Sequence, residues 1–235
     1  MTLAGRRPAS LVDIYRVRLD ADAARLDSLY AILAPQERER AARFRFAEHR
    51  RQFIVCRGML REILSPYLGL HPADIAFVYN RQGKPGVGDG DVRFNVSHSG
   101  GWALQAVSRG SEVGIDIERV DARFAREQIP ERFFSPCEAG QLRALPVDQQ
   151  TAAFFRCWTR KEAYIKARGL GLALPLDSFD VSLGPDDPPA LLRAGDWSVQ
   201  DLDAPPGYAA AVVAEGPVFS AVSCAVPEAT GLLPA

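Results

Sequence analysis

The 235-residue sequence predicts an α+β fold, because apolar residues recur at helical spacing in some stretches and at strand-like spacing in others without a strict β-α-β rhythm. Each half of the chain also offers a long helical stretch followed by strand-like runs, with a division near Ser108 to Glu112. Residues 1–110 and 111–235 are therefore expected as two halves, and an apolar content of 47% is enough to bury a substantial core.

Leu11 to Leu19 alternates as an opening strand, and Pro35 to Leu68 reads as one long helix or as two with a break near Phe44 to Glu48. Gly69 and Pro72 end that stretch. Ile75 to Tyr79 is a strand running into the turn Arg81-Gln82-Gly83-Lys84-Pro85. Phe94 to Val96 and Trp102 to Val107 flank Ser97-His98-Ser99-Gly100-Gly101 as a hairpin, and Val113 to Glu118 is a further strand. Ser135-Pro136-Cys137-Glu138 combines an N-cap serine, a proline at N1 and a glutamate at N3, so a helix starts there. Thr151 to Arg168 carries Phe154, Phe155, Trp158 and Ile165 on a broad apolar face, and Gly169 or Gly171 closes that helix. Pro185 to Pro189 is expected as a loop and Trp197 to Leu202 and Ala209 to Val213 as strands, with a loosely held tail after Pro227.

A net charge of -1 supplies no global reason to expect nucleic acid or a membrane as partner, so any anion site must be found residue by residue. No apolar run approaches the roughly 18 residues of a membrane helix and the first residues lack a signal-peptide stretch, which makes the cytosol the expected compartment. Cys56, Cys137, Cys157 and Cys224 lie far apart without C-x-x-C spacing and are expected as reduced thiols, mostly in the core. Of 28 basic residues only Lys84, Lys161 and Lys166 are lysine, which draws attention to them.

In Val113-Gly114-Ile115-Asp116-Ile117-Glu118 the strand period places Asp116 and Glu118 on one face with Gly114, which would let a bulky ligand approach. Two such carboxylates repel unless a cation sits between them, and hard oxygen ligands suit Mg²⁺. A bare D-x-E is more often a solvated strand face, however. Glu162 and Lys166 are four apart on a helix, with Trp158 one turn earlier. They make either a common surface ion pair worth about 0.2–0.5 kcal/mol, or a basic carboxylate beside a cation that neutralises a leaving phosphate. Asn95 and Ser97 share a strand face opposite Phe94 and Val96, beside a glycine turn whose backbone N–H groups could reach a phosphate, so a polar ligand site is expected at that edge. Gly83-Lys84-Pro85 taken alone is an ordinary exposed turn, and most of Arg40, Arg50, Arg51 and Arg57 must be solvated, although some could bind a phosphate bidentately.

In order, Gly83-Lys84-Pro85, Phe94-Asn95-Val96-Ser97-His98-Ser99, Gly114-Ile115-Asp116-Ile117-Glu118, Phe133-Phe134-Ser135 with Glu138, Trp158-Thr159-Arg160-Lys161-Glu162-Ala163-Tyr164-Ile165-Lys166 and Leu174-Pro175-Leu176-Asp177-Ser178-Phe179 resemble the surfactin-type (Sfp-like) 4'-phosphopantetheinyl transferases. The resemblance runs from about Pro35 to Val181 and implies a pseudo-twofold α+β fold of two similar halves with the active site between them. It implies that Asp116, Glu118 and Glu162 hold Mg²⁺, which Mn²⁺ can replace. Arg40 and His98 would contact the 3'-phosphate of coenzyme A, and Lys84, Pro85, Asn95, Ser97 and Arg57 would line the nucleotide site, with Asp116 also at the coenzyme.

The implied reaction transfers the phosphopantetheine arm of coenzyme A to a serine of an apo carrier protein, peptidyl, acyl or aryl, and releases 3',5'-ADP. Glu162 would act as base or metal ligand and Lys166 would stabilise the departing phosphate. Chain length within the family implies a monomer serving nonribosomal peptide or polyketide synthases. Two other readings remain: a module that binds coenzyme A or a carrier protein without transfer, and a metal-dependent phosphohydrolase with water as nucleophile.

Overall fold

In the computed structural model, which describes residues 10–126, 129–192 and 195–227, strand β1 (Ser10–Arg18) sends Val12 and Ile14 to one face and Val17 to the other. Helices α1 (Ala23–Ala31), α2 (Pro35–Ala42) and α3 (Ala47–Leu68) follow, so the long helical stretch is broken at Arg43 to Phe46. Short strands β2 (Phe77–Tyr79) and β3 (Pro85–Val87) pair with each other, and β4 (Val92–Ser99) and β5 (Trp102–Arg109) form the expected hairpin. The second half runs β6 (Val113–Arg119), α4 (Ala122–Arg126), α5 (Ile129–Phe133), α6 (Pro136–Ala144) and α7 (Val147–Arg168). It ends with β7 (Asp180–Val181), β8 (Leu191–Leu192), β9 (Trp197–Asp201), β10 (Tyr208–Glu215) and β11 (Phe219–Cys224). The tail expected to be loose lies, from residue 228 onward, outside the described residues.

The mixture is α+β. The largest sheet has the order β11-β1-β5-β4 and a second β6-β10-β9, with β2-β3 and β7-β8 as two-stranded sheets; the pairs are antiparallel except β1 and β11, which are parallel. The last strand therefore returns to the first half's sheet, a long-range pairing that local periodicity does not announce. α1, α4, α5 and β11, with the short strands β3, β7 and β8, have no counterpart among the elements expected from periodicity.

The two halves share a design. Each has a 22-residue helix, α3 or α7, closed by a left-handed glycine, Gly69 at φ 64° and Gly169 at φ 62°. α3 buries Ile54, Val55, Ile63 and Leu64 in a core with Phe94, Ala103 and Val107. α7 buries Phe154, Phe155, Ile165 and Ala167 with Ala211 and Val213 of β10. Between the sheets lies a third core of Val12, Ile14, Leu104, Ile115, Ile117 and Val212. Each such large apolar side chain contributes roughly 1.5–3 kcal/mol by leaving water.

Buried charges join the elements where apolar contact cannot. Lys161, fully buried, gives its three protons to Glu138 at 2.7 Å and to the carbonyls of Leu176 and Phe179, both at 2.6 Å. Glu138 is itself the N3 residue of the capping box that starts α6, and it accepts the N–H groups of Ser135 and Val181. Arg61 likewise bonds Glu37 and the carbonyls of Pro72 and Ile75. All four cysteines are free, but only Cys157 is fully core; Cys137 is exposed because it sits on the solvent side of α6.

Gly114 does not open room for a ligand as its position on the carboxylate face suggests. A Cβ there would lie 2.1 Å from the carbonyl oxygen of Ala163 and 2.2 Å from the amide nitrogen of Ala167, so it is the backbone of α7 that occupies the space. Backbone on both sides cannot move aside as a flexible side chain would. Gly114→Ala should therefore lose about 3 kcal/mol of stability or fail to fold, whereas Gly140→Ala, on an exposed helical position with nothing within 4 Å, should gain about 0.5–1 kcal/mol. Urea denaturation of both variants checks the contrast.

Candidate active site

The close approach of α7 to β6 decides what faces what. With α7 resting on Gly114, the next residue of the same strand face, Asp116, lies under the helix and is 1% exposed. One of its oxygens, Oδ1, accepts from the Lys166 ammonium at 2.5 Å and from the Ser97 hydroxyl at 2.8 Å. Lys166 also donates to Ser97 Oγ at 2.9 Å. Its bonds thus run across to β4 and β6, in place of the helix-surface pair with Glu162 that the i,i+4 spacing offers.

Glu118 and Glu162 complete the group of acids. Burial and then the nearby charge of Asp116 push both carboxyls above the ordinary range, with the Lys166 charge pulling each back down in part. Asp116 Oδ2 is buried without a hydrogen-bond partner among the described residues. Three carboxylates with one ammonium between them leave the site short of positive charge, and an orphaned buried oxygen is a ready ligand. Among the described residues no three such groups already converge on a single ion-sized point. The donor chemistry nevertheless fits a hard divalent cation, which takes carboxylate oxygens and leaves other positions to water or phosphate.

Strand β4 divides its work by parity. Its odd residues meet β6: Asn95 Oδ1 accepts the Ile115 N–H at 3.0 Å, Ser97 bonds Asp116, and Ser99 Oγ donates to Glu118 at 2.9 Å. The polar face expected to meet a ligand is therefore spent on holding the neighbouring strand, because β4 and β6 share no backbone ladder and side chains take its place. The even residues Val96 and His98 open instead onto a cavity of about 720 Å³.

That cavity brings Arg40, Arg57, Pro85 and His98 together, with Ser99 on the edge shared with the acids. Arg40 lies over the Phe53 ring at 5.1 Å, and Arg57 over Phe77 at 4.9 Å with Nε 3.5 Å from Glu37. Arg57 Nη1 is buried without a partner among the described residues, a donor left for an anion. Burial and the charges of Lys166 and Arg40 hold the His98 imidazole below its ordinary range. His49, Phe53 and Leu60 also line the cavity, and their spacing on α3 puts them on the same helix face as Arg57, a pattern readable from the sequence only once that face is known to be open.

Three expected members of the nucleotide site lie elsewhere. Lys84 borders a different cavity and spends its ammonium on Glu112 at 2.8 Å, the Ala167 carbonyl at 2.9 Å and the Val113 carbonyl at 3.2 Å. It ties the β2–β3 turn to the end of α7 because three acceptors converge there and a compact ammonium satisfies all of them. Asn95 and Ser97 are turned to β6 as described. Trp158 does not reach the acids, since it packs among Phe124, Phe133, Phe134 and Phe154.

Comparison with known proteins agrees with this geometry. Residues 20–109 match the model of the 4'-phosphopantetheinyl transferase N-terminal region and residues 112–213 that of the 4'-phosphopantetheinyl transferase superfamily. The chain is 42% identical to the 4'-phosphopantetheinyl transferase HetI of Nostoc sp. over 87% of its length and 88% of the relative's. It is 37% identical to a 4'-phosphopantetheinyl transferase of Bacillus subtilis (88% and 93% covered) and 35% identical to the 4'-phosphopantetheinyl transferase Sfp of the same species (80% and 85% covered). With a carboxylate cluster beside an arginine- and histidine-lined cavity, and relatives of this identity along most of its length, the chain belongs to the surfactin-type (Sfp-like) 4'-phosphopantetheinyl transferases.

Proposed function

We propose that the protein transfers the 4'-phosphopantetheine group of coenzyme A to a serine hydroxyl of an apo carrier protein and releases 3',5'-ADP, in a reaction that depends on Mg²⁺. The observation that carries this reading is the junction at Ser99, where the cavity lined by Arg40, Arg57 and His98 meets the acids Asp116, Glu118 and Glu162. A phosphate ester long enough to span both would have its terminal phosphate among the basic groups and its pyrophosphate beside the acids.

Asp116, Glu118 and Glu162 would hold the metal, which when bound supplies positive charge to the pyrophosphate oxygens. Arg40, Arg57 and His98 would grip the 3'-phosphate with charge-assisted hydrogen bonds. Pro85 would pack against the nucleotide, whereas Lys84 and Asn95 support the site from behind. Glu162, its proton affinity raised by burial and by Asp116, is suited to take the proton of the incoming serine. As the β-phosphorus–oxygen bond to the serine forms, the bond to the 5'-phosphate oxygen of ADP breaks, and Lys166 is the protein cation nearest the acids to neutralise that leaving group. Serine is a weak nucleophile at neutral pH, so orientation and charge neutralisation carry most of the acceleration.

Incubation with coenzyme A, Mg²⁺ and a panel of purified apo carrier domains, read by intact mass and by nucleotide chromatography, tests the reaction. Modified carrier and equimolar 3',5'-ADP are expected. Nucleotide release without modified protein would point to a phosphohydrolase, and binding without either to a carrier or coenzyme module. The panel also identifies which carriers are accepted, and sedimentation checks the expected monomer.

Glu162→Gln provides the test of mechanism. A carboxyl whose folded-state proton affinity is raised binds more protons folded than unfolded, so its charged form destabilises the fold above that range and the penalty disappears as pH falls. Without metal at pH 7 the variant should therefore melt at or above the parent temperature, lose the melting increment conferred by Mg²⁺, and transfer about 10²–10⁴-fold more slowly. A variant that melts well below the parent, or transfers at the parental rate, contradicts the assignment. Lys166→Met is expected to melt lower, because Asp116 is then left buried without its cation.

His98 supplies a pH signature. Burial and the Lys166 and Arg40 charges hold its imidazole below the ordinary range, so a His98 that pairs as imidazolium with the 3'-phosphate dianion takes up a proton on binding. Preference for coenzyme A over 3'-dephospho-coenzyme A should thus rise as pH falls from 8 to 6.5, reaching roughly 10–100-fold. In His98→Ala the preference should shrink and become nearly flat with pH; calorimetry at several pH values measures both.

A further inference from the structure

We propose that Ser99 is a positioning residue: its hydroxyl, anchored by the Arg119 backbone N–H, orients the Glu118 carboxylate toward the acid cluster. The inference rests on the reading that Glu118 is a metal ligand. Ser99 Oγ accepts the Arg119 N–H at 3.0 Å and lies 2.9 Å from Glu118 Oε2. A hydroxyl has one proton, and with a lone pair taken by the amide that proton is directed at the carboxylate. Ser97 repeats the arrangement one step earlier on β4, accepting from the Lys166 ammonium and donating to Asp116 Oδ1. Two successive odd residues of one strand thereby hold the two successive acids of the next, each by one oxygen, leaving the second oxygen free for a ligand.

Glu118 needs this support more than Asp116 does. Asp116 is short, 1% exposed, and clamped by Lys166. Glu118 has one more rotatable bond, sits near the end of β6 and is half-buried. Without a fixed partner its carboxylate would spread over several rotamers, and metal binding would have to restrict them. The strand that carries Ser99 is held in place from the other half as well. It is followed by Gly100 (φ 54°), where a Cβ would lie 2.5 Å from the Tyr208 hydroxyl, and Gly101 N–H donates to that hydroxyl at 3.4 Å.

The test is Mn²⁺ titration, followed by water-proton relaxation in the presence of fixed coenzyme A, for the parent, Ser99→Ala, Ser99→Thr, Glu118→Gln and the double variant Ser99→Ala/Glu118→Gln. Ser99→Ala should bind Mn²⁺ about 10–100-fold more weakly, as loss of a ligand's outer partner does, while its metal-free melting temperature stays within about 3 °C of the parent. Ser99→Thr keeps the hydroxyl and should restore binding to within about threefold of the parent by the same rule. The double variant should bind no more weakly than Glu118→Gln, since Ser99 acts through Glu118. Parental affinity in Ser99→Ala, or equal loss in Ser99→Thr, would overturn the positioning role while leaving the metal site intact. Parental affinity in Glu118→Gln would remove Glu118 from the ligand set and the positioning role with it. Should Ser99→Ala melt far below the parent, the threonine variant and the coupling in the double variant still decide the question.

Discussion

The contact on which the rest of the site depends is the seat of helix α7 on strand β6 at Gly114. The Ala163 carbonyl and the Ala167 amide occupy the volume that any side chain at 114 would need. A helix this close carries residues 162 and 166 directly above the acids of the strand, and the Lys166 ammonium reaches Asp116 as a result. A side chain at 114 would lift the helix and pull cation and acid apart. Packing and chemistry are thus one geometric fact seen at two positions of the same strand face.

The second constraint is the junction of β4 with β6, where two sheets meet without a ladder. Backbone groups at such a seam would be unpaired, and unpaired buried amides are costly. Asn95 and Ser99 satisfy the backbone N–H groups of Ile115 and Arg119, and Ser97 and Ser99 bond the carboxylates of Asp116 and Glu118. The same bonds orient the carboxylates. Meanwhile Val96 and His98, on the other face, belong to the cavity, so one strand borders the acids and the arginine-lined cavity together.

The three lysines of the chain share a physical role. Lys84, Lys161 and Lys166 each meet acceptors arriving from separate elements at short range. Three tetrahedral protons on a compact ammonium suit such a junction, whereas a planar guanidinium spreads its donors in a fork. Elsewhere arginine serves, as for Arg61 and for Arg160, which engages Asp201 and Ser182. Of the three lysines only Lys166 stands among the acids; the other two hold the fold.

By itself the sequence determined the type of most of the longer elements, the capping box before α6, the two long helices with their glycine ends, the mixed α+β class, and the face shared by Asp116 and Glu118. These follow from periods of 2 and 3.6 and from cap chemistry, all local along the chain. The ordered motifs also carried the family resemblance. Only the tertiary structure decided that β11 returns to β1, that Gly114 admits a helix and not a ligand, and that Lys84, Asn95 and Ser97 face neighbouring elements and not the cavity. It likewise decided that Lys166 of α7 bonds Asp116 of β6, 50 residues away in sequence, although Glu162 stands one turn from it. Local spacing states which residues share a face; which partner fills that face is set by distant segments competing for the same donors and the same space.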